Sequence, residues 1–245
     1  MSSYTRSDIN ADRLSGLRFL SIFSALLLAI FMANFELTAI FLILPDMAKD
    51  LHLSVNHMAW VILLYQVFFA SILVIAGRIG DLLGRRSIFA IGSIIFVVAL
   101  LLGGSAQSLC WLLIARGLQG FSGALIWPNA MAMAFAVIPE KHRGVGVGCL
   151  TGVVGLALAV APISAGYIAE WFGWRWVFWI NVPIFLFACI SVWMLTVNVR
   201  TQKEGGLDFV GSVVLIVCYW LVWYYRLHSS QLGHLYMLLN MYLFY

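Results

Sequence analysis

Charge is what this chain has least of. Asp, Glu, Lys and Arg supply 10% of its 245 residues, against about 25% in soluble domains. At 63% hydrophobic composition, too little polar surface remains to cover a water-soluble globule. An ordinary soluble enzyme, a disordered tail and a nucleic-acid module are excluded. Cysteine is sparse and poorly spaced for chemistry. Cys110, Cys149, Cys189 and Cys218 lie scattered through apolar stretches, which gives neither a disulfide framework nor a metal site. They are expected as buried thiols packing as small apolar groups. The five histidines fall in loops or in the tail, without metal-ligand spacing. With no Gly-rich phosphate loop, serine-nucleophile motif or catalytic carboxylate pair, the sequence predicts no enzyme, no metal and no cofactor.

What the chain has instead is apolar runs long enough to cross a bilayer, which takes roughly 17–25 residues. Seven are found, at 18–44, 58–77, 87–105, 109–138, 145–171, 175–197 and 208–225. Only helix satisfies the backbone of such runs in lipid, and the first is too long for a signal-peptide core. The expected fold is therefore an all-α polytopic membrane protein. A tail (1–17) precedes a six-helix bundle (18–197). Residues 198–245 then hold a polar linker, a seventh helix at about 208–225 and a short irregular tail. The final apolar piece is too short to span, so the C-terminus reads as interrupted and the chain as truncated.

Ten of the 14 basic residues fall in segments on the N-terminal side of the membrane; only Lys49, Arg175 and Arg226 fall on the other. This bias predicts a cytoplasmic N-terminus in the cell membrane. Trp171, Trp174, Trp176 and Trp179 cluster at the opposite boundary, where an aromatic belt is expected.

Three features carry more specific information. Between the second and third runs, Gly77, Gly80, Asp81, Gly84, Arg85 and Arg86 crowd into one tight turn. Glycines there permit positive backbone angles and close helix approach, and the Asp can accept from Arg. Glu36 and Arg116 are charges inside spans, where ionisable groups cost about 2.5–3.5 kcal/mol at a helix centre. Glu36 is either a proton-exchanging site facing a cavity or a protonated carboxyl bonded to a neighbouring helix. Arg116 must find carbonyls, an acid or water, and Gln119 extends the polar strip one turn along. Finally, the fifth run carries Gly144, Gly148, Gly152, Gly155 and Gly166, with Pro162 between the last two. Such a strip lets helices approach closely, and Pro162 should bend the helix.

The G-x-x-x-D-x-x-G-R-R pattern from Gly77 to Arg86 resembles the signature loop of the major facilitator superfamily. The chain is similar to it elsewhere too. Phe35-Glu36-Leu37-Thr38 with Leu44-Pro45, the Arg116-Gly117-Leu118-Gln119-Gly120 segment, and Gly173-Trp174-Arg175-Trp176 running to Asn181-Val182-Pro183 resemble motifs of its fourteen-span drug:proton antiporters. The likeness extends from about Arg18 to about Trp223. It implies the N-terminal half of a transporter that exports small amphipathic or cationic compounds, with the proton gradient as energy source. Substrate would bind between two six-span bundles, with Glu36, Arg116 and Gln119 lining the cavity and coupling to protons. The Asp81 loop would latch against the other half. The implied partners are the lipid bilayer, a small-molecule substrate and a missing C-terminal half, with no nucleic acid. The alternative is a truncated, transport-incompetent fragment or half-subunit; on either account the chain by itself is expected not to transport.

Overall fold

Helix is the regular structure of the computed structural model over its described residues, 16–138 and 140–196 together with Val217 and Trp220. Six long helices follow one another: α1 (Gly16–Asp50), α2 (Val55–Leu83), α3 (Arg85–Gly104), α4 (Leu109–Val137), α5 (Arg143–Phe172) and α6 (Arg175–Leu195), with a 3-10 turn at Glu140–His142. Each is long and apolar enough to cross a membrane. They match the first six apolar runs to within a few residues. The expected seventh span and most of the N-terminal tail lie outside the described residues, Val217 and Trp220 apart; those two positions are helical.

Two boundaries differ from expectation. The first run was expected to stop at Leu44, but α1 continues through Pro45 to Asp50. A proline removes one backbone bond, here to the Phe41 carbonyl, and a membrane helix packed by neighbours tolerates that loss. The glycine-rich turn is also shorter than its sequence suggests. Gly77, Gly80 and Asp81 are all inside α2, and the joint to α3 is the single residue Gly84, at φ +101°. Of the glycines in this turn, only Gly84 uses the left-handed backbone freedom. Two helix starts are capped by serines. Ser54 accepts from the His57 N–H while its own N–H donates to His57 Nδ1, a reciprocal cap on α2. Ser108 accepts from the Trp111 N–H at the start of α4.

Packing follows a pattern of pairs. α1 runs along α5 and α6, α4 runs along α2 and α3, α1 crosses α4, and α3 meets α6. Exchanging the triplet α1–α3 for α4–α6 maps this set of pairs onto itself. Because each triplet has an odd number of spans, the two run through the bundle in opposite directions, as inverted repeats do. Asp50, Ser54, Ser108 and Arg175 thus share one end, here the Asp50 end; Asp81, Gly84 and Arg143 share the other, the Asp81 end. The apolar core between them is formed by Leu26, Ile30 and Ile40 of α1, Phe96 of α3 and Phe185 of α6, with the Phe96 and Phe185 rings 4.8 Å apart. α2 and α4 approach closely: a Cβ on Gly120 would overlap the Tyr65 carbonyl.

The cysteines depart from expectation. Cys110 and Cys149 are exposed and Cys189 is partly buried, while Cys218 lies outside the described residues. Around a membrane bundle the surroundings are apolar as well, so a thiol meets no penalty on the outer face.

Candidate functional site

The charges read from the sequence come together inside the bundle. Glu36 of α1 is 1% exposed and Arg116 of α4 fully buried. Arg116 Nη1 lies 3.9 Å from Glu36 Oε1, and Gln119 stands between them. Arg116 Nη1 donates to Gln119 Oε1 at 2.6 Å, and Gln119 Nε2 donates to Glu36 Oε1 at 3.3 Å. The guanidinium is further held by Nε donating to the Val61 carbonyl of α2 at 3.2 Å. It also lies over the Tyr65 ring, 4.6 Å from the centroid, a stacking that Arg favours. Its Nη2 is buried with no hydrogen-bond partner among the described residues. The second carboxylate oxygen, Oε2, accepts from Asn181 Nδ2 of α6 at 3.0 Å.

Glu36, Arg116 and Gln119 are all three buried within this bundle. They form a closed polar seam joining α1, α2, α4 and α6. The reason is mutual: taking either charge out of water is costly unless its lone pairs and protons are satisfied. The spacing Arg116–Gln119 puts both groups on one face of α4, where α1 and α2 converge. Sequence reasoning found Glu36, Arg116 and Gln119 but missed Asn181 and Tyr65. A signal existed for Asn181, a lone amide in an apolar helix; none existed for Tyr65.

At the Asp81 end, Arg85 brackets one oxygen of Asp81, with Nη2 at 2.8 Å and Nε at 2.9 Å. This pair spans the Gly84 joint and fastens α2 to α3. Arg86 lies over the Trp193 ring of α6 at 4.2 Å. Gly80 serves close approach: a Cβ there would overlap the Asn129 side-chain amide of α4, and one on Gly77 would rest 3.7 Å from Pro128. Asn129 itself donates to the carbonyls of Leu125 and Ala76.

The glycine strip of α5 does not pack as its spacing suggests. Nothing among the described residues lies within 4 Å of a Cβ built on Gly148, Gly152 or Gly155, whereas one on Gly166 would crowd Leu42 and one on Gly146, outside the strip, would crowd Ile138. Contact between α5 and the bundle is made on another face, through Ala157, Ala161 and Ala165, all buried. Pro162 lies within the helix next to that face. Trp171, Trp176 and Trp179 are exposed as expected of a belt, but Trp174 is 5% exposed. Its Nε1 donates to Asp50 Oδ2 at 3.2 Å, and Arg175 Nη1 donates to the same oxygen at 2.7 Å. Arg175 Nη2 reaches the Ala106 carbonyl at 2.9 Å. One guanidinium therefore gathers the end of α1, the α3–α4 connection and the α5–α6 hairpin.

Comparison with known proteins agrees with this architecture. The Major Facilitator Superfamily matches residues 26–245. The puromycin resistance protein pur8 of Streptomyces alboniger is 35% identical over 178 residues, 72% of this chain and 35% of that protein. The multidrug transporter protein MdtP of Bacillus subtilis is 33% identical over 197 residues, 79% of this chain and 36% of that one. The chain thus spans about a third of the length of these relatives. A crystal structure of the peptide transporter POT in complex with sulfate matches with TM-score 0.70 at 13% identity, covering 90% of this chain and 48% of that one; it shares the fold. With six helices able to span a membrane and a family match over most of its length, the chain is a multi-pass membrane protein belonging to the Major Facilitator Superfamily.

Proposed function

We propose that this chain forms one bundle of a proton-coupled exporter of small amphipathic or cationic compounds in the cell membrane, with Glu36 as the proton-carrying group. The observation that carries the reading is the seam itself: a buried carboxylate held by two amides, with a buried arginine at 3.9 Å. Neutralising Glu36 would leave Arg116 without its counter-charge in a site that water does not reach. The two charge states of the pair therefore favour different packings, and a proton entering or leaving Glu36 must be accompanied by movement. The substrate class is taken from relatives named for drug resistance and multidrug transport. The Asp50 end is assigned to the outside, since Arg78, Arg85, Arg86, Lys141 and Arg143 lie at the Asp81 end. Substrate would pass between this bundle and a second one.

The test is export of cationic dyes under an imposed pH gradient. It uses vesicles carrying residues 1–197 joined to the C-terminal part of the Bacillus subtilis protein MdtP. Glu36→Gln keeps the shape but cannot titrate, and should abolish gradient-driven export while the protein still folds. Undiminished export by that variant would remove Glu36 from the coupling role.

A further inference from the structure

Asn181 is the residue of the seam with no role so far beyond its contact. From Ile180 to Ala188 it is the one residue of α6 with a hydrogen-bonding side chain, and it is 2% exposed. An amide buried in an apolar helix is costly unless its donors are used, and here both are. One Nδ2 hydrogen goes to the Val177 carbonyl one turn back at 2.7 Å, and the other to Glu36 Oε2 at 3.0 Å. The first bond fixes the amide in the helix and so fixes the direction of the second. Two residues along, Pro183 lies inside α6 and cannot donate to the Trp179 carbonyl, which leaves the backbone pliant beside the contact. Gln119 serves Oε1 from α4, so the two carboxylate oxygens are held from two different helices.

We propose that Asn181 is a positioning residue for Glu36. It stabilises the charged carboxylate and aims its second oxygen at α6, and through that bond α6 registers whether Glu36 carries a proton. This rests on the reading of Glu36 as the proton-carrying group. A donor to a carboxylate bonds the charged form more strongly than the neutral one, so loss of the proton tightens the α1–α6 contact and gain of it loosens the contact. The titratable groups facing Glu36 are Arg116 from α4 and Tyr65 from α2; α6 brings the Asn181 amide, and α5 packs through alanines. The same helix begins at Arg175, so the charge on Glu36 is felt six residues from the Arg175–Asp50 contact.

The experiment uses the full chain in lipid vesicles and dicyclohexylcarbodiimide, an apolar reagent that adds to protonated carboxyls. Modification of Glu36 is followed by peptide mass spectrometry across a range of pH, for the wild type, Asn181→Leu and Asn181→Ala. At neutral pH, Glu36 should react about tenfold faster in both variants, the factor expected for one lost hydrogen bond to a charged group. The difference should close at a pH acid enough for wild-type labelling to reach its plateau. Ala removes the amide without adding bulk and carries the comparison if N181L does not fold. Equal rates at every pH would overturn the role of Asn181 alone. So would faster labelling that persists through the acid plateau, because that reports loosened packing. Wild-type labelling that ignores pH would overturn the reading of Glu36 itself.

Discussion

Arg116 and Glu36 sit 3.9 Å apart, beyond hydrogen-bonding distance, with Gln119 bridging them. The bridge gives each charge a neutral partner that donates on one side and accepts on the other.

Gln119→Leu should therefore be more damaging than its neutral chemistry suggests. It strands the Arg116 Nη1 donor and the Glu36 Oε1 acceptor together, at a cost of about 2–3 kcal/mol for buried groups bonded to charge. Denaturant titration in detergent should show that loss. Gln119→Glu should not restore stability, because it places a second carboxylate against Glu36.

Two glycine substitutions should behave oppositely. Gly80→Ala drives a methyl into the Asn129 amide and should destabilise by about 1–3 kcal/mol, with partial recovery when Asn129 is shortened to Ser. Gly155→Ala meets nothing among the described residues and should be neutral or stabilising, by up to about 1 kcal/mol from helix propensity. Melting temperatures of the two variants of the purified chain decide the matter. Equal destabilisation would show that α5 is packed on its glycine face.

The sidedness of the bundle can be tested at two exposed positions. Lys49→Cys lies at the Asp50 end and Leu83→Cys at the Asp81 end. In intact cells an impermeant maleimide should label the first and spare the second. The four native cysteines, Cys110, Cys149, Cys189 and Cys218, should be replaced beforehand, since Cys110 and Cys149 are exposed. Labelling of both positions, or of Leu83→Cys alone, would contradict an outward Asp50 end.

The spans were legible because burial of a whole helix in lipid writes itself into composition, one run at a time. Side-chain partnership does not. Asn181 and Glu36 are 145 positions apart, and nothing local tells an amide which helix it will face. Spacing was a poor guide to packing for the same reason. Gly148, Gly152 and Gly155 have the periodicity of a contact strip, yet α5 presents its alanines to the bundle. Trp174 shares its composition with the exposed tryptophans around it, and only the Asp50 carboxylate distinguishes it. Pro45 shows the limit of punctuation: a residue that ends helices in water sits inside one here.

The Arg175 contact at the Asp50 end and the seam around Glu36 lie on different levels of one stack of helices. Together they tie α1 to α6 at two heights. A stack riveted at two heights resists shear but turns freely as a block. Tilt applied at one rim is then shared by both helices.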